Sequence, residues 1–471
     1  MPLKVLVIGV GICGPAFATM LRRSDPGHSI TVIERYPTIR HNGLQLDLRS
    51  WGVPIIKRLG LEGAVRAKGV QEAGLAFVNS AGRVLGAFGI ADSSSGSLSF
   101  TTEFEIMRGD LVQILYDASL EGQAALDAEE RGKKSGPGGG GAGDEDHYYP
   151  PGVHYEFGKT VARLDQDDGG VDVVFSDGAA RRYDLVVGAD GQWSRTRRML
   201  FGEEAAAAAF KPMHVYAAYF QVPRVSFPRF GGGGGGAADD DDDDDDALAR
   251  FYQPGGGRAV MLRTGNRAQT QVYLMVRTAA DATRRAIERQ PAAAQKDVFA
   301  AQFRGAGWCV DELLAQMPGA DDFYAEVIGQ VRAPRATRGR VALLGDAAHC
   351  ASPLSGMGTT VSLTGAYVLA GEIARHRGDP AAVPAALDAY DAVVKPYVAD
   401  VQNIVAGVPH ILCPGSWWFL TLLRLFVRFA YLVRLDHWLS RLSPEKKGGR
   451  QLPEYPELNL APPTPAAAHS S

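Results

Sequence analysis

Three short stretches of the chain carry residue types at spacings that do chemistry. The first is Gly9-Val10-Gly11-Ile12-Cys13-Gly14, a G-x-G-x-x-G run behind an apolar stretch at 3–8. In such a run the first glycine permits a tight turn, the second lets a pyrophosphate approach the backbone, and the third lets helix and strand pack closely. Unpaired N–H groups at the start of the following helix then face the anion. Glu34 lies twenty residues past Gly14, where a carboxylate can accept hydrogen bonds from both ribose hydroxyls of an adenosine. The second stretch, Asp190-Gly191-Gln192-Trp193-Ser194-Arg195-Thr196-Arg197, is a D-G-x-x-S-x-x-R pattern behind an apolar run. The third, Gly345-Asp346-Ala347-Ala348-His349, is G-D-A-A-H behind another, with Pro353, Gly356 and Gly358 following. A carboxylate at Asp346 can accept hydrogen bonds from polyol hydroxyls without needing a proton. The glycine run points to a dinucleotide and does not by itself separate a flavin from a nicotinamide one.

These residues need elements to position them. Residues 3–8 read as a strand buried on both faces, 15–23 as a helix, and 29–33 as a second strand closed by Glu34. That is a βαβ start. Further strands are expected at 153–165, 171–175, 183–187, 215–222, 271–276 and 341–344, with Asp177-Gly178 as a turn signal. Helices are expected at 51–59, 109–121, 355–375 and 384–405.

The bulk properties fit a folded body. The chain has 471 residues, 46% apolar and 22% charged, enough for cores in two to three domains. The net charge of -4 is local, because Asp239 to Asp246 alone supplies eight negatives. No bias toward nucleic acid remains outside that run. The four cysteines lie far apart without C-x-x-C spacing, which argues against a zinc site or a disulfide framework and for a reducing compartment. No metal site is expected, because a polyaspartate lacks the ligand spacing of a calcium loop. The apolar N-terminus superficially resembles a signal peptide, but its glycine spacing has the explanation above. No run reaches about 18 uncharged apolar residues, so no conventional membrane span is expected.

Three motifs in this order, each behind an apolar strand, resemble the FAD-dependent aromatic hydroxylases, the para-hydroxybenzoate hydroxylase-like monooxygenases, over about residues 3–405. The resemblance implies an α/β (α+β mixed) fold, with a Rossmann-like FAD-binding domain, an inserted β-sheet substrate domain and C-terminal helices. It implies FAD held at Gly9, Gly11, Gly14, Glu34, Arg49, Arg108, Asp190, Asp346, Gly356 and Gly358. Arg108 matches the arginine that opens a helix beside FAD, Arg49 lies in the loop near the flavin ring, and Ser194 and Arg197 support the Asp190 turn. Structural alternatives stand beside these roles. Arg49 and Arg108 could pair with surface carboxylates, Asp190 and Asp346 could cap helices, and His349 fits a packed residue better than a base. Many family members carry Gly-Gln-Gly-x-Asn where this chain has Gly356-Met357-Gly358-Thr359-Thr360. The glycines remain and the amides do not.

The implied reaction uses NADPH or NADH to reduce FAD, and oxygen then adds at flavin C4a. The resulting hydroperoxide transfers one oxygen atom to an electron-rich carbon of an aromatic or polyketide-like small molecule. The catalytic residue is unknown from the sequence. Tyr216 and Tyr219 face opposite sides of one strand, so at most one can point at substrate. A reductase or dehydrogenase on the same scaffold, and a non-catalytic, membrane-associated FAD-binding protein, are the alternatives.

The expected organisation is FAD-binding segments at 1–120, 153–204 and 336–405. A disordered insertion at 121–152 and a substrate domain at 205–335 with a low-complexity loop at 231–246 interrupt them. A C-terminal helix region at 406–450 and a disordered tail at 451–471 follow. Residues 416–442 lie between Pro414 and Pro444 and should form one helix. Arg424, Arg428, Arg434 and Arg441 fall within an arc of roughly 140° on it. Its broad apolar remainder fits packing on the protein, a dimer contact or a membrane surface. The expected location is the cytoplasm, with or without membrane contact.

Overall fold

The computed structural model describes residues 2–40, 43–89, 104–121, 150–225, 248–405, 407–434 and 450–460. Most of the insertion expected at 121–152, all of the 231–246 loop and the end of the tail lie outside the described residues.

The first sheet has six strands, in the order Thr337–Arg338, Val341–Leu343, Leu185–Gly188, Lys4–Ile8, Ser29–Glu34 and Gly152–Phe157. All pair in parallel except the two-residue edge strand. Val5, Leu6, Val7, Leu185, Val186, Val187 and Leu343 are fully buried, as continuous apolar strands covered on both faces must be. The helix Cys13–Ser24 packs against Gly358–Arg375, which packs in turn against Val383–Gln402.

Strand order decides the site. The three motif-bearing strands are neighbours, with Ile8 beside Gly188 and Gly188 beside Leu343. Their carboxyl ends therefore deliver Gly9, Asp190 and Asp346 to one edge of the sheet, where ligands of open parallel sheets bind.

The second sheet has seven strands, in the order Tyr324–Val331, Phe210–Pro223, Gln269–Arg277, Arg258–Arg263, Leu248–Gly255, Gly74–Val78 and Val84–Gly89. Its last two strands come from the stretch expected to belong with the nucleotide-binding half. They join through a parallel pairing of 74–78 with 248–252. Alternation splits the sheet into two faces. Tyr216, Ala218, Phe220, Val272, Leu274 and Val327 pack against Phe299, Phe303 and Leu313 of the covering helices. Ala217, Tyr219, Tyr273, Met275 and Ile328 face the other way, and Leu44 and Leu354 from the cofactor side pack on them.

Two expected strands differ in extent. The stretch at 153–165 is two strands in two sheets, Gly152–Phe157 and Val161–Gln166, separated by Gly158 at φ 70°. The stretch at 183–187 divides at Asp184. Ala180–Tyr183 pairs antiparallel with Val171–Phe175, while Leu185–Gly188 enters the parallel sheet. Asp184 fixes the switch, because its carboxylate accepts from Lys4 N at 2.7 Å and its own N–H donates to Lys4 O at 2.8 Å. Hydrophobic alternation records burial and not which sheet a strand joins.

The C-terminal helix runs from Trp417 to Leu432, with Arg434 at φ 50° beyond its end, and the expected continuation over 435–442 lies outside the described residues. Leu420, Val427 and Ala430 pack inward, and Arg424 turns inward too, donating to Gln253 O at 2.6 Å. The outward face is apolar: Trp417 is 79% exposed and Leu432 69%, with Trp418, Leu422, Leu425, Phe426 and Phe429 also exposed. Among the described residues no helix is long and apolar enough to cross a membrane.

Candidate active site

The glycine turn is built by close approach. Gly9 sits at φ 118°, and a Cβ there would lie 2.5 Å from the Ala189 carbonyl oxygen. A Cβ at Gly14 would collide with the Gly9 carbonyl oxygen. Gly11 and Gly358 are different. A Cβ at Gly11 would meet nothing nearer than the Arg108 guanidinium at 3.8 Å, and one at Gly358 would meet nothing within 4 Å. These two backbone surfaces border open space, which suits the backbone approach of an extended dinucleotide.

The charged residues line the same groove. Glu34 accepts from Val10 N at 2.9 Å and from Tyr36 N at 3.2 Å. Each carboxylate oxygen keeps capacity for a ribose hydroxyl. Arg108 opens the helix Arg108–Leu120, and its backbone N–H donates to Leu44 O at 2.9 Å. Its guanidinium is buried among Tyr324, Arg40, Asp346 and Glu34, and burial lowers its pKa. A guanidinium stays charged even so. It stands between the Glu34 and Asp346 ends of the groove, where a pyrophosphate would need a cation. Burial raises the pKa of Asp346, opposed by a hydrogen bond with Cys350 and by Arg108.

The 190–197 turn works differently. Asp190 accepts from Ser194 Oγ at 2.5 Å and from both Thr196 N and Thr196 Oγ1 at 3.0 Å. Ser194 caps the next helix, its Oγ accepting from Arg197 N at 2.9 Å. Arg197 donates to Ala347 O at 2.7 Å and Gln192 O at 2.8 Å. Both Asp190 oxygens are thus turned into their own loop, and Arg197 ties that loop to the Asp346 turn. His349 is buried, and desolvation lowers its pKa to about 4, so the imidazole is neutral near neutral pH.

Thr360 carries a role the sequence did not reveal. Its Oγ1 donates to Arg49 O at 2.9 Å and accepts from Arg49 N at 3.3 Å. The Arg49 guanidinium pairs with Asp47 at 2.7 Å, and a Cβ at Gly356 would lie 3.9 Å from it. In this chain a hydroxyl joins the 43–49 loop to the start of the Gly358–Arg375 helix.

The inner face of the second sheet closes the space opposite. Tyr219 and Tyr273 meet edge to face with centroids 5.4 Å apart, and Tyr219 and Tyr324 lie at 4.8 Å. Beside them Arg263 donates to Glu72 at 2.8 and 2.9 Å and to Glu105 at 2.8 Å. Gln45 joins both carboxylates, and Gln271 accepts from Gln45 N and from Tyr273 OH. Burial raises the pKa of Glu105 well above the usual range, against the pull of Arg263. Apart from Gln271 and Tyr273, these partners lie far apart in sequence, so no local motif marks them.

The parallel sheet thus carries three motif-bearing turns on one edge, on the side of the aromatic inner face of the second sheet. Residues 145–404 match the family model described as FAD binding domain. The chain is 37% identical to "FAD-dependent monooxygenase asL6" of Sarocladium schorii, covering 98% of this chain and 100% of that one. It is 34% identical to "FAD-dependent monooxygenase asL4" of the same organism, over 97% and 99%. Among solved structures it resembles the tetracycline destructase Tet(55), at TM-score 0.66 and 25% identity over 96% of this chain and 99% of that one. The chain belongs to the FAD-binding family of flavin-dependent monooxygenases and is an FAD enzyme of that class.

Proposed function

We propose that the protein consumes NADPH or NADH and places one oxygen atom from O2 on an electron-rich carbon. The substrate class is a phenol or a polyketide- or terpenoid-like secondary metabolite, held between the flavin groove and the inner face of the second sheet. The observation that carries this reading is the facing of Tyr219, Tyr273 and Tyr324 toward the groove. An apolar, aromatic wall suits a flat conjugated molecule and excludes water. The tetracycline destructase resemblance supports a polycyclic, hydroxylated substrate class.

When bound, FAD supplies the redox chemistry, taking a hydride from the nicotinamide and activating oxygen. The chain positions it. Glu34 suits the adenosine ribose, Arg108 and Gly11 the pyrophosphate, and Asp346 the ribityl chain. Asp190 acts on the groove through the turn it closes. The N-terminus of the Gly358–Arg375 helix suits the negative charge of a reduced flavin, because a helix N-terminus carries partial positive charge. Gly356 and Arg49 flank that end. The outward apolar face of Trp417–Leu432 suits a membrane surface or a second copy of the chain.

The test is oxygen accounting. Purified holoprotein is given NADPH or NADH, 18O2 and a panel of phenols. One labelled oxygen per product is the expected result. Substrate reduction without oxygen uptake would make the protein a reductase, and flavin that never turns over with any partner would make it a binding protein.

A further inference from the structure

The strand Tyr324–Val331 turns Tyr324, Glu326 and Ile328 to the inner face, and Ala325 and Val327 to the helices. Glu326 stands opposite Ala217, whose methyl group fills little of the space beside it, and diagonal to Tyr219. Tyr219 lowers the pKa of the Glu326 carboxyl. Glu72 and Glu105 are held by Arg263. For Glu326 the cation within influence is Arg108, which belongs to the cofactor groove. A carboxyl left among aromatic rings without a dedicated counter-charge costs stability, and the cost falls where the cofactor groove meets the inner face.

We propose that Glu326, diagonal to Tyr219 on the inner face, accepts the hydroxyl proton of a phenolic or enolic substrate bound against this face. The inference rests on the monooxygenase reading above. The substrate O–H bond breaks, its proton moves to a Glu326 carboxylate oxygen, and the electron pair stays on the substrate oxygen. Resonance then raises electron density at the ring carbons ortho and para to it, which activates them toward an electrophilic oxygen.

The electrostatics fit this task. Tyr219, Tyr324, Asp346, Arg108 and Cys350 lie within electrostatic reach of the carboxyl. Burial pushes it up to about 7, with the Tyr219 hydroxyl and Arg108 pulling down and Asp346 pushing up. A base poised near neutrality combines the correct protonation state with useful strength.

The experiment compares FAD-loaded wild type with Glu326→Gln, Glu326→Asp and Tyr219→Phe. It uses a panel of mono- and dihydroxybenzaldehydes and follows substrate-dependent NADPH oxidation and hydroxylated product across neutral pH. In wild type, kcat/KM should rise through a limb near 7. Glu326→Gln should abolish that limb and cut kcat by roughly 10²- to 10⁴-fold, while FAD loading is kept. Glu326→Asp should restore part of the rate and the limb. Tyr219→Phe should move the limb to higher pH, because the hydroxyl that favours the carboxylate is gone. On amino-activated rings, which have no hydroxyl proton to lose, Glu326→Gln should lose far less activity than on phenols. A Glu326→Gln profile that keeps its acid limb, or that falls equally on phenols and anilines, overturns the assignment alone. A wild type that oxygenates no phenol while binding FAD overturns the underlying reading and this inference with it.

Discussion

Asp346 shows how much one side chain carries. Its carboxyl ends a parallel strand, sits beside Arg108 and is raised in pKa by burial. A charge-assisted hydrogen bond to a ligand is worth about 1.5–3 kcal/mol. Asp346→Ala should therefore weaken FAD binding by roughly 10- to 100-fold, read from the 450 nm flavin band after gel filtration. Full flavin occupancy in that variant would remove the ribityl assignment. Glu326 gives a second prediction at the same scale. Its folded-state pKa of about 7 lies above the ordinary glutamate value, so between the two values the folded state holds more protons than the unfolded. Stability contributed by this group is therefore lost as pH rises toward 7. Glu326→Gln should raise the melting temperature above pH 7, and the gain should shrink as pH falls toward the ordinary carboxylate range. An equal gain at every pH would mean that the effect is packing and not ionisation.

At the scale of elements, the decisive contacts join segments far apart in the chain. Arg263 of one strand holds Glu72 and Glu105, and Gln45 and Gln271 link the 45–47 strand to the second sheet. Breaking a buried ion cluster by removing one partner costs about 3–5 kcal/mol. Arg263→Met should destabilise by that order in urea unfolding, with little dependence on salt because the cluster is screened from solvent. A change below about 1 kcal/mol, the scale of an exposed pair, would show that the cluster is not acting as a buried unit. The helix Trp417–Leu432 makes the opposite case, with an inner face that packs and an outer face that does not. Ending the chain before Ser416 should abolish co-flotation with anionic liposomes, or dimerisation in sedimentation, and leave flavin content intact. A truncated protein that floats or dimerises as before would assign the apolar face to neither.

For the whole molecule, the groove lies where the two sheets face one another, so ligand and fold are coupled. Gly11, Gly358, Arg108, Asp346 and the inner-face tyrosines come together from widely separated regions of the chain. A ligand that binds only the assembled state stabilises it by about 2.7 kcal/mol at a concentration 100 times its Kd. Saturating FAD should therefore raise the unfolding midpoint of the deflavinated protein in a concentration-dependent way, and adenosine alone should do so less. An unfolding midpoint indifferent to FAD would contradict a site built from both units.

The motifs were legible because their physics is local. A turn that admits a pyrophosphate needs glycine at fixed offsets, and a buried parallel strand needs a continuous apolar run, so Gly9, Gly11, Gly14, Asp346 and their strands could be read directly. Asp190 was legible as a motif, but its hydrogen bonds into its own loop were not, since a carboxylate at a strand end suits a ligand or a cap equally. The division at Asp184, the recruitment of 74–89 to the second sheet, and the meeting of Glu326 with Tyr219 came only from the tertiary structure. Each depends on which strands pair, and pairing partners are chosen by packing across more than a hundred residues of chain, a distance over which side-chain periodicity carries no information.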